Sequence, residues 1–202
     1  MRRLLLSLMI TLVSVAVVSA APLCTTPATV GDAANAGYTC EIGGLTFSNF
    51  VVTPGVGTPT AITLMTATQV GDWVYLTFNP SLSQNQDIWL NFTVTGPLGG
   101  IDLSVARSNA VVTEVACSGP ITGGFCSGQD LGFLTVYSGG SGSMEFGQTS
   151  NLTYIWKDIG VGQGGELSAF TQSFHVVPEP MTFALIGAGL LGLGLLRRKI
   201  RS

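Results

Sequence analysis

The central part of the chain, residues 21–177, alternates hydrophobic and polar positions with the period of β-strands. In the segment 87–95, every second residue from Ile88 to Val94 is hydrophobic, which is typical of an antiparallel strand with one buried face. The same kind of pattern predicts eight further strands, at 42–52, 61–70, 73–78, 101–106, 110–117, 131–137, 151–161 and 167–177. No segment of this part shows the repeat of a convincing amphipathic helix.

These nine short strands, separated by Gly, Pro, Ser and Asn, predict an all-β fold. A parallel sheet would need helical crossovers, and none is indicated. About 157 residues suffice for one core between two sheets. We therefore predict one extracellular domain over residues 21–177, a single β-sandwich or jelly-roll-like domain.

The first twenty residues have the order of a secretory signal peptide. Arg2 and Arg3 form a short basic region, residues 4–18 are mostly apolar, and small side chains precede the junction of Ala20 and Ala21. This order predicts cleavage between Ala20 and Ala21 after export by the Sec machinery.

The segment 178–202 predicts a membrane helix at the other end of the chain. Residues 181–196 carry no charge and span about 24 Å as a helix, somewhat less than a hydrocarbon core. A basic tail, 197–202, follows at once and contains Arg197, Arg198, Lys199 and Arg201. By the positive-inside rule this cluster stays in the cytoplasm, so the domain lies outside.

Pro178, Glu179 and Pro180 stand directly before this helix, and the two prolines hold the segment extended. The order Pro-Glu-Pro, apolar Gly-rich helix and basic tail resembles the PEP-CTERM sorting signal of exported bacterial proteins. In that family an exosortase, a membrane-embedded transpeptidase-like enzyme, reads the signal and passes the protein to the cell surface or outside. A plain C-terminal anchor is the alternative.

The resemblance implies that Pro178, Glu179 and Pro180 are recognition residues and that the basic tail is the cytoplasmic retention cluster. It also implies a Gram-negative-type envelope with a polysaccharide-rich surface, and a protein held in the membrane only until processing. Two internal stretches, 40–50 and 155–161 together with 167–174, look like segments of PEP-CTERM proteins of unassigned activity.

The charge of the central part excludes one class of partner. Charged residues make up 9% of the chain, against about 25% in a typical soluble domain. Residues 21–177 contain ten acidic residues but only Arg107 and Lys157 as bases, a formal charge of −8. Because binding to phosphates needs clustered Lys and Arg, we expect no nucleic-acid partner.

Four cysteines, an even number in an exported chain, predict disulfides. Three pairings exist, and Cys24–Cys40 with Cys117–Cys126 would close short local loops. Each bridge would add about 2–4 kcal/mol of stability. The spacing fits no pattern of paired zinc ligands, so we expect no zinc site.

Two motifs that suggest catalysis lack the context that catalysis needs. The segment 160–165 has the letters G-x-G-x-x-G but is followed by a strand pattern rather than a helix, so we interpret it as a hairpin turn. Ser141 lies one residue short of a nucleophile elbow, and His175 is the sole histidine. We expect no catalytic residue, and the protein is predicted not to be an enzyme.

We therefore predict a non-enzymatic cell-surface or extracellular-matrix protein with a structural or adhesive role. The alternative is a secreted carbohydrate-binding module that uses Trp73, Trp89 or Trp156, although in such strands we expect tryptophans to be buried. The third hypothesis is a secreted glycoside hydrolase with two facing acids. No cofactor is expected; a calcium ion held by separate loops is the alternative.

Overall fold

The computed structural model describes residues 22–31, 37–55, 57–106 and 109–177. These residues form fourteen β-strands and no helix. They are β1 (Ala28–Val30), β2 (Cys40–Ile42), β3 (Leu45–Pro54), β4 (Ile62–Val70), β5 (Trp73–Asn79), β6 (Leu82–Ser83), β7 (Asp87–Val105), β8 (Ala110–Cys117), β9 (Ile121–Thr122), β10 (Phe125–Cys126), β11 (Asp130–Tyr137), β12 (Ser141–Val161), β13 (Glu166–Leu167) and β14 (Phe170–Val176).

The signal peptide, its cleavage site at Ala20 and Ala21, and the whole segment 178–202 lie outside the described residues. Within the described ranges, no helix has the length and hydrophobicity that crossing a membrane requires.

Ten of the strands form one antiparallel sheet, which confirms the predicted all-β class. The order is β1-β4-β5-β14-β7-β12-β8-β11, while β3 pairs with β7 and β2 pairs with β3. The short strands β9 and β10 form a separate hairpin, and β6 pairs with β13.

The two longest strands, β7 and β12, let this sheet fold over itself. The first half of β7 pairs with β3, its second half pairs with β14, and β12 runs beside both halves. In the first half of β7, the buried face is formed by every second residue up to Val94. In the second half, the alternation is shifted by one residue, so that Ile101 and every second residue after it are buried. Gly96 accounts for the bend, because its φ is +133° and an added Cβ would lie 2.6 Å from the carbonyl oxygen of Gly44.

The two halves of the sheet pack face to face, which is consistent with the predicted β-sandwich. Phe47 of β3 meets Phe174 of β14 edge-on, with 4.9 Å between ring centroids. Phe92 of β7 stacks on Phe50 at 5.2 Å and also lies 6.2 Å from Phe174. One continuous hydrophobic core therefore fills the space between the layers.

Two disulfides close local loops, and disulfide bonding is thereby confirmed. Cys24–Cys40 ties the first described segment to β2. Cys117–Cys126 ties the end of β8 to β10. No free cysteine is present among the described residues.

Three local interpretations of the sequence are wrong. The segments 87–95 and 101–106 are not separate strands but belong to β7. The strand predicted at 151–161 starts too late, because β12 already begins at Ser141. The segment 160–165 forms a turn, but it leads from β12 to β13, which pairs with β6; it therefore does not close a hairpin.

Candidate functional site

The outward face of the first half of β7 carries polar and aromatic side chains between two neighbouring strands. Because Ile88 and Leu90 are buried, Trp89 and Asn91 point away from the core. In the sheet register, Trp89 lies opposite Asp158 of β12, and Asn91 lies opposite Trp156. The two tryptophans are thus diagonal neighbours on adjacent strands, close enough to line one surface.

These side chains line a groove on the outside of the sheet. Its volume is about 460 Å³, and its walls are Thr53, Trp89, Asn91, Ile121, Gly123, Trp156 and Asp158. A second depression of about 270 Å³ shares Asn91 and Ile121 with the first and continues past Thr93 and Tyr154. We call the two depressions together the outer groove.

The β9–β10 hairpin forms one wall of the outer groove. Gly124 in its turn has a φ of +81°, and a Cβ at that position would lie 3.4 Å from the ring of Trp156. The hairpin backbone therefore rests on the indole. Because Cys126 of the hairpin is bonded to Cys117, which lies opposite Tyr154, the disulfide holds this wall against the sheet.

Asp158 is the acidic group of the groove. Burial raises the pKa of its carboxyl above the ordinary 3.8, the charge of Asp87 raises this pKa further, and a hydrogen bond donated by Trp89 lowers it. The carboxylate of Asp158 and the carboxamide of Asn91 provide hydrogen-bonding groups between two aromatic side chains. Such a surface can bind a ligand that has both apolar faces and hydroxyl groups.

The expectation of buried tryptophans is wrong. Trp89 is 39% exposed, and Trp73 and Trp156 are half-buried. Trp73 lies away from the groove, where it stacks on His175 with 4.8 Å between ring centroids. Sequence reasoning named the tryptophans as candidates but missed Asn91 and Asp158, because their shared surface depends on how the strands pair.

The other residues considered for chemistry remain apart. Ser141 lies opposite Ser104 of β7, whereas His175 lies opposite Gly100, four residues earlier on the same strand. Among the described residues, no three side chains of the His, Cys, Asp and Glu types are placed to share a metal ion.

A buried polar cluster inside the core was also missed. Glu114, Lys157 and Gln172 are each fully buried, and the Lys157 Nζ lies 2.9 Å from the Glu114 Oε1. Nζ also donates a hydrogen bond to the Gln172 Oε1, and it lies 5.7 Å from the ring centroid of Phe170. A signal for this cluster exists in the sequence, because each residue occupies the inward parity of its strand between hydrophobic neighbours two positions away.

Burial shifts both charged members of this cluster toward their neutral forms. Burial raises the pKa of Glu114, and the nearby Lys157 and Gln172 offset part of this rise. Burial lowers the pKa of Lys157, and the charge of Glu114 offsets part of this decrease.

Comparison with known proteins identifies the C-terminal part of the chain. The family model described as "PEP-CTERM protein-sorting motif" matches residues 176–199, which confirms the resemblance. The match implies an exported protein with a C-terminal sorting signal that an exosortase processes. It spans Pro178, Glu179 and Pro180 together with Arg197, Arg198 and Lys199, whose individual roles stay predictions, as does that of Arg201.

No curated protein matches the sequence. Among solved structures, the chain is similar to TmCBM61 in complex with beta-1,4-galactotriose, at 10% identity and a TM-score of 0.36, over 63% of this chain and 86% of that one. It is also similar to the Drosophila melanogaster CENP-C cupin domain, at 10% identity and a TM-score of 0.26, over 76% and 83% of the two chains. Both scores are too low to support an inference about this chain.

Proposed function

We propose that this protein with a PEP-CTERM sorting signal is a non-enzymatic, adhesive component of the cell surface or extracellular matrix that holds polysaccharide in the outer groove. The observation that carries the proposal is the placement of Trp89, Trp156, Asn91 and Asp158 around one open groove. The sorting motif supports it, because the motif takes the domain out of the cytoplasm.

The groove offers the two kinds of contact that a sugar needs. Indole rings provide flat apolar surfaces for the C–H faces of a sugar ring. The Asn91 carboxamide can donate hydrogen bonds to the sugar hydroxyl groups and accept hydrogen bonds from them, and the Asp158 carboxylate can accept hydrogen bonds from them. The two depressions are neighbours, because Asn91 and Ile121 line both. This arrangement favours a chain of several sugar units over a single sugar.

The presence of one carboxylate in the groove favours binding over hydrolysis. Most glycosidases use two carboxyl groups about 5–10 Å apart across the scissile bond. Asp158 is the one carboxylate among the residues that line the two depressions, and Asp87, which influences its pKa, does not line them. A secreted glycoside hydrolase is therefore the weaker hypothesis.

The proposal requires no cofactor. A calcium ion held by separate loops is the alternative, and a chelator added to the binding assay tests it. We further propose a Gram-negative-type host, in which exosortase processing places the protein on the cell surface or in a polysaccharide-rich biofilm.

The test is binding of the full-length exported chain to a broad panel of neutral and acidic polysaccharides, with reducing ends measured in parallel. We expect binding to at least one polysaccharide without release of reducing ends. Trp156→Ala should abolish binding, whereas Trp73→Ala, a tryptophan outside the groove, should preserve it. Absence of binding across the panel would overturn the adhesive role, and release of reducing ends would establish the hydrolase.

A further inference from the structure

The buried polar cluster connects the two layers of the domain. Lys157 lies on the half of β12 that pairs with β8, and Glu114 lies directly opposite it on β8. Gln172 lies on β14, which pairs with β5 and with the second half of β7 but not with β12. The contact from Lys157 to Gln172 therefore crosses the core rather than following a hydrogen-bonded strand pair.

Ordinary packing does not explain these three residues. Ionic groups in a core lose their hydration, and well-packed hydrophobic residues are often as stabilising or more so. Lys157 is the only lysine of residues 21–177, and its inward neighbours on β12 are Ile155 and Ile159. The one lysine of the domain thus lies where hydrophobic side chains predominate.

We propose that Lys157 and Gln172 are joined by an intramolecular isopeptide bond, formed by the domain itself with Glu114 as the catalytic residue. The Nζ of Lys157 attacks the Cδ of Gln172, so that an Nζ–Cδ bond forms and the Cδ–Nε2 bond breaks. Glu114 accepts a proton from Nζ and delivers one to Nε2, which leaves as ammonia. The reaction turns an amine and a carboxamide into a secondary amide and ammonia, and needs no oxidant or other reactant.

The geometry brings the reacting groups together. The Lys157 Nζ contacts the Gln172 carboxamide oxygen, which is one bond from the carbon that it attacks. The Glu114 Oε1, 2.9 Å from Nζ, is within reach for proton transfer. Groups held in such contact react with effective concentrations far above those in solution.

The surroundings favour the same chemistry. Burial lowers the pKa of Lys157, which favours the neutral amine that acts as a nucleophile. Burial raises the pKa of Glu114, which favours the carboxylic acid that protonates the leaving nitrogen. The Phe170 ring and the surrounding core exclude water, which would otherwise compete as a nucleophile.

Such a bond would suit an anchored extracellular protein. β14 ends at Val176, where the sorting motif begins, so a pull on the C-terminal attachment enters the domain through this strand. A covalent link from Gln172 to β12 would prevent β14 from being pulled out of the sheet. The proposal does not depend on what the outer groove binds.

Mass spectrometry of the full-length chain, exported by a bacterial host, tests the bond. After reduction and unfolding, a protease that cuts after glutamate cleaves at Glu166, between the two residues. We expect the peptides containing Lys157 and Gln172 to stay linked, with a mass about 17 Da below their sum, the mass of the lost ammonia. Two separate peptides of unmodified mass would overturn the proposal.

Substitutions at Gln172 and Glu114 test the role of each residue in forming the bond. Gln172→Leu should yield unlinked peptides, whereas Gln148→Leu, at an exposed glutamine of β12, should leave the link intact. Glu114→Gln, close in shape to the native side chain, should also yield unlinked peptides. A linked Glu114→Gln protein would contradict the catalytic role of Glu114, while the wild-type digest decides the bond itself even if a variant fails to fold.

Discussion

Trp89 lies directly opposite Asp158 across the β7–β12 pair, and hydrogen bonding by its indole lowers the pKa of that carboxyl. This contact orients an exposed aromatic ring and the acidic group of the outer groove relative to each other. Since both side chains arise from the backbone of paired strands, the groove is rigid to the extent that the sheet is.

Two substitutions should shift the pKa of Asp158 in opposite directions if Trp89 and Asp87 act on its carboxyl as described. Trp89→Phe removes the donor and should raise the pKa of Asp158, because the hydrogen bond favours the ionised carboxylate. Asp87→Asn removes a negative charge and should lower the same pKa. NMR titration of the Asp158 carboxyl carbon measures both shifts, and a pKa that stays constant in both variants would contradict the contacts.

Glycan binding should weaken in acid because of Asp158. Its pKa in the folded protein is raised, so the carboxylate gains a proton at a higher pH than an exposed aspartate, whose ordinary value is 3.8. Affinity should therefore be constant above the raised pKa and fall as the pH drops through it. Binding measured across this range should lose its pH dependence in Asp158→Asn and keep it in Glu166→Gln, a carboxylate outside the groove. An unchanged profile in Asp158→Asn would show that another group titrates.

The two disulfides should differ in their effect on binding. Replacing Cys117 and Cys126 by Ala should cost about 2–3 kcal/mol of stability and weaken glycan binding, because the β9–β10 wall of the groove loses its tether. Replacing Cys24 and Cys40 removes a bridge that does not line the groove, so binding should persist. Denaturant unfolding and binding assays on both double variants check this, and equal losses of affinity would contradict the role of the wall.

The buried cluster should respond to substitution as a unit. Lys157→Met leaves Glu114 buried without its partner, which should cost about 3–5 kcal/mol of unfolding free energy, and loss of the proposed link to Gln172 adds to this cost. Adding Glu114→Leu and Gln172→Leu removes the remaining buried polar groups, so the triple variant should be more stable than the single one. Urea unfolding gives both values; a triple variant less stable than Lys157→Met would show that the three residues act separately.

Much of the fold could be predicted from local patterns. Alternation identified the strand class and the inward face from Ile88 to Val94, since the period of two is a property of the extended backbone itself. The bend of β7 could not be predicted, because Gly96 and Pro97 usually mark the end of a strand. Here the neighbouring β12 pairs with β7 on both sides of the bend, and its register shifts between Glu145 and Leu152 accommodate the bend.

The sequence by itself determined the all-β class, the number of cysteines and the sorting motif, because each of these is read from a contiguous residue pattern or from a residue count. Only the tertiary structure decided which residues meet. Trp89 and Trp156 share a groove because the register of β7 and β12 brings them to adjacent positions. Lys157 and Gln172 are each a polar residue on the hydrophobic face of a strand, which the sequence pattern shows. Their contact arises only because one layer of the sheet folds over the other. Strand periodicity is local, whereas register and layer packing depend on which distant segments bury one another.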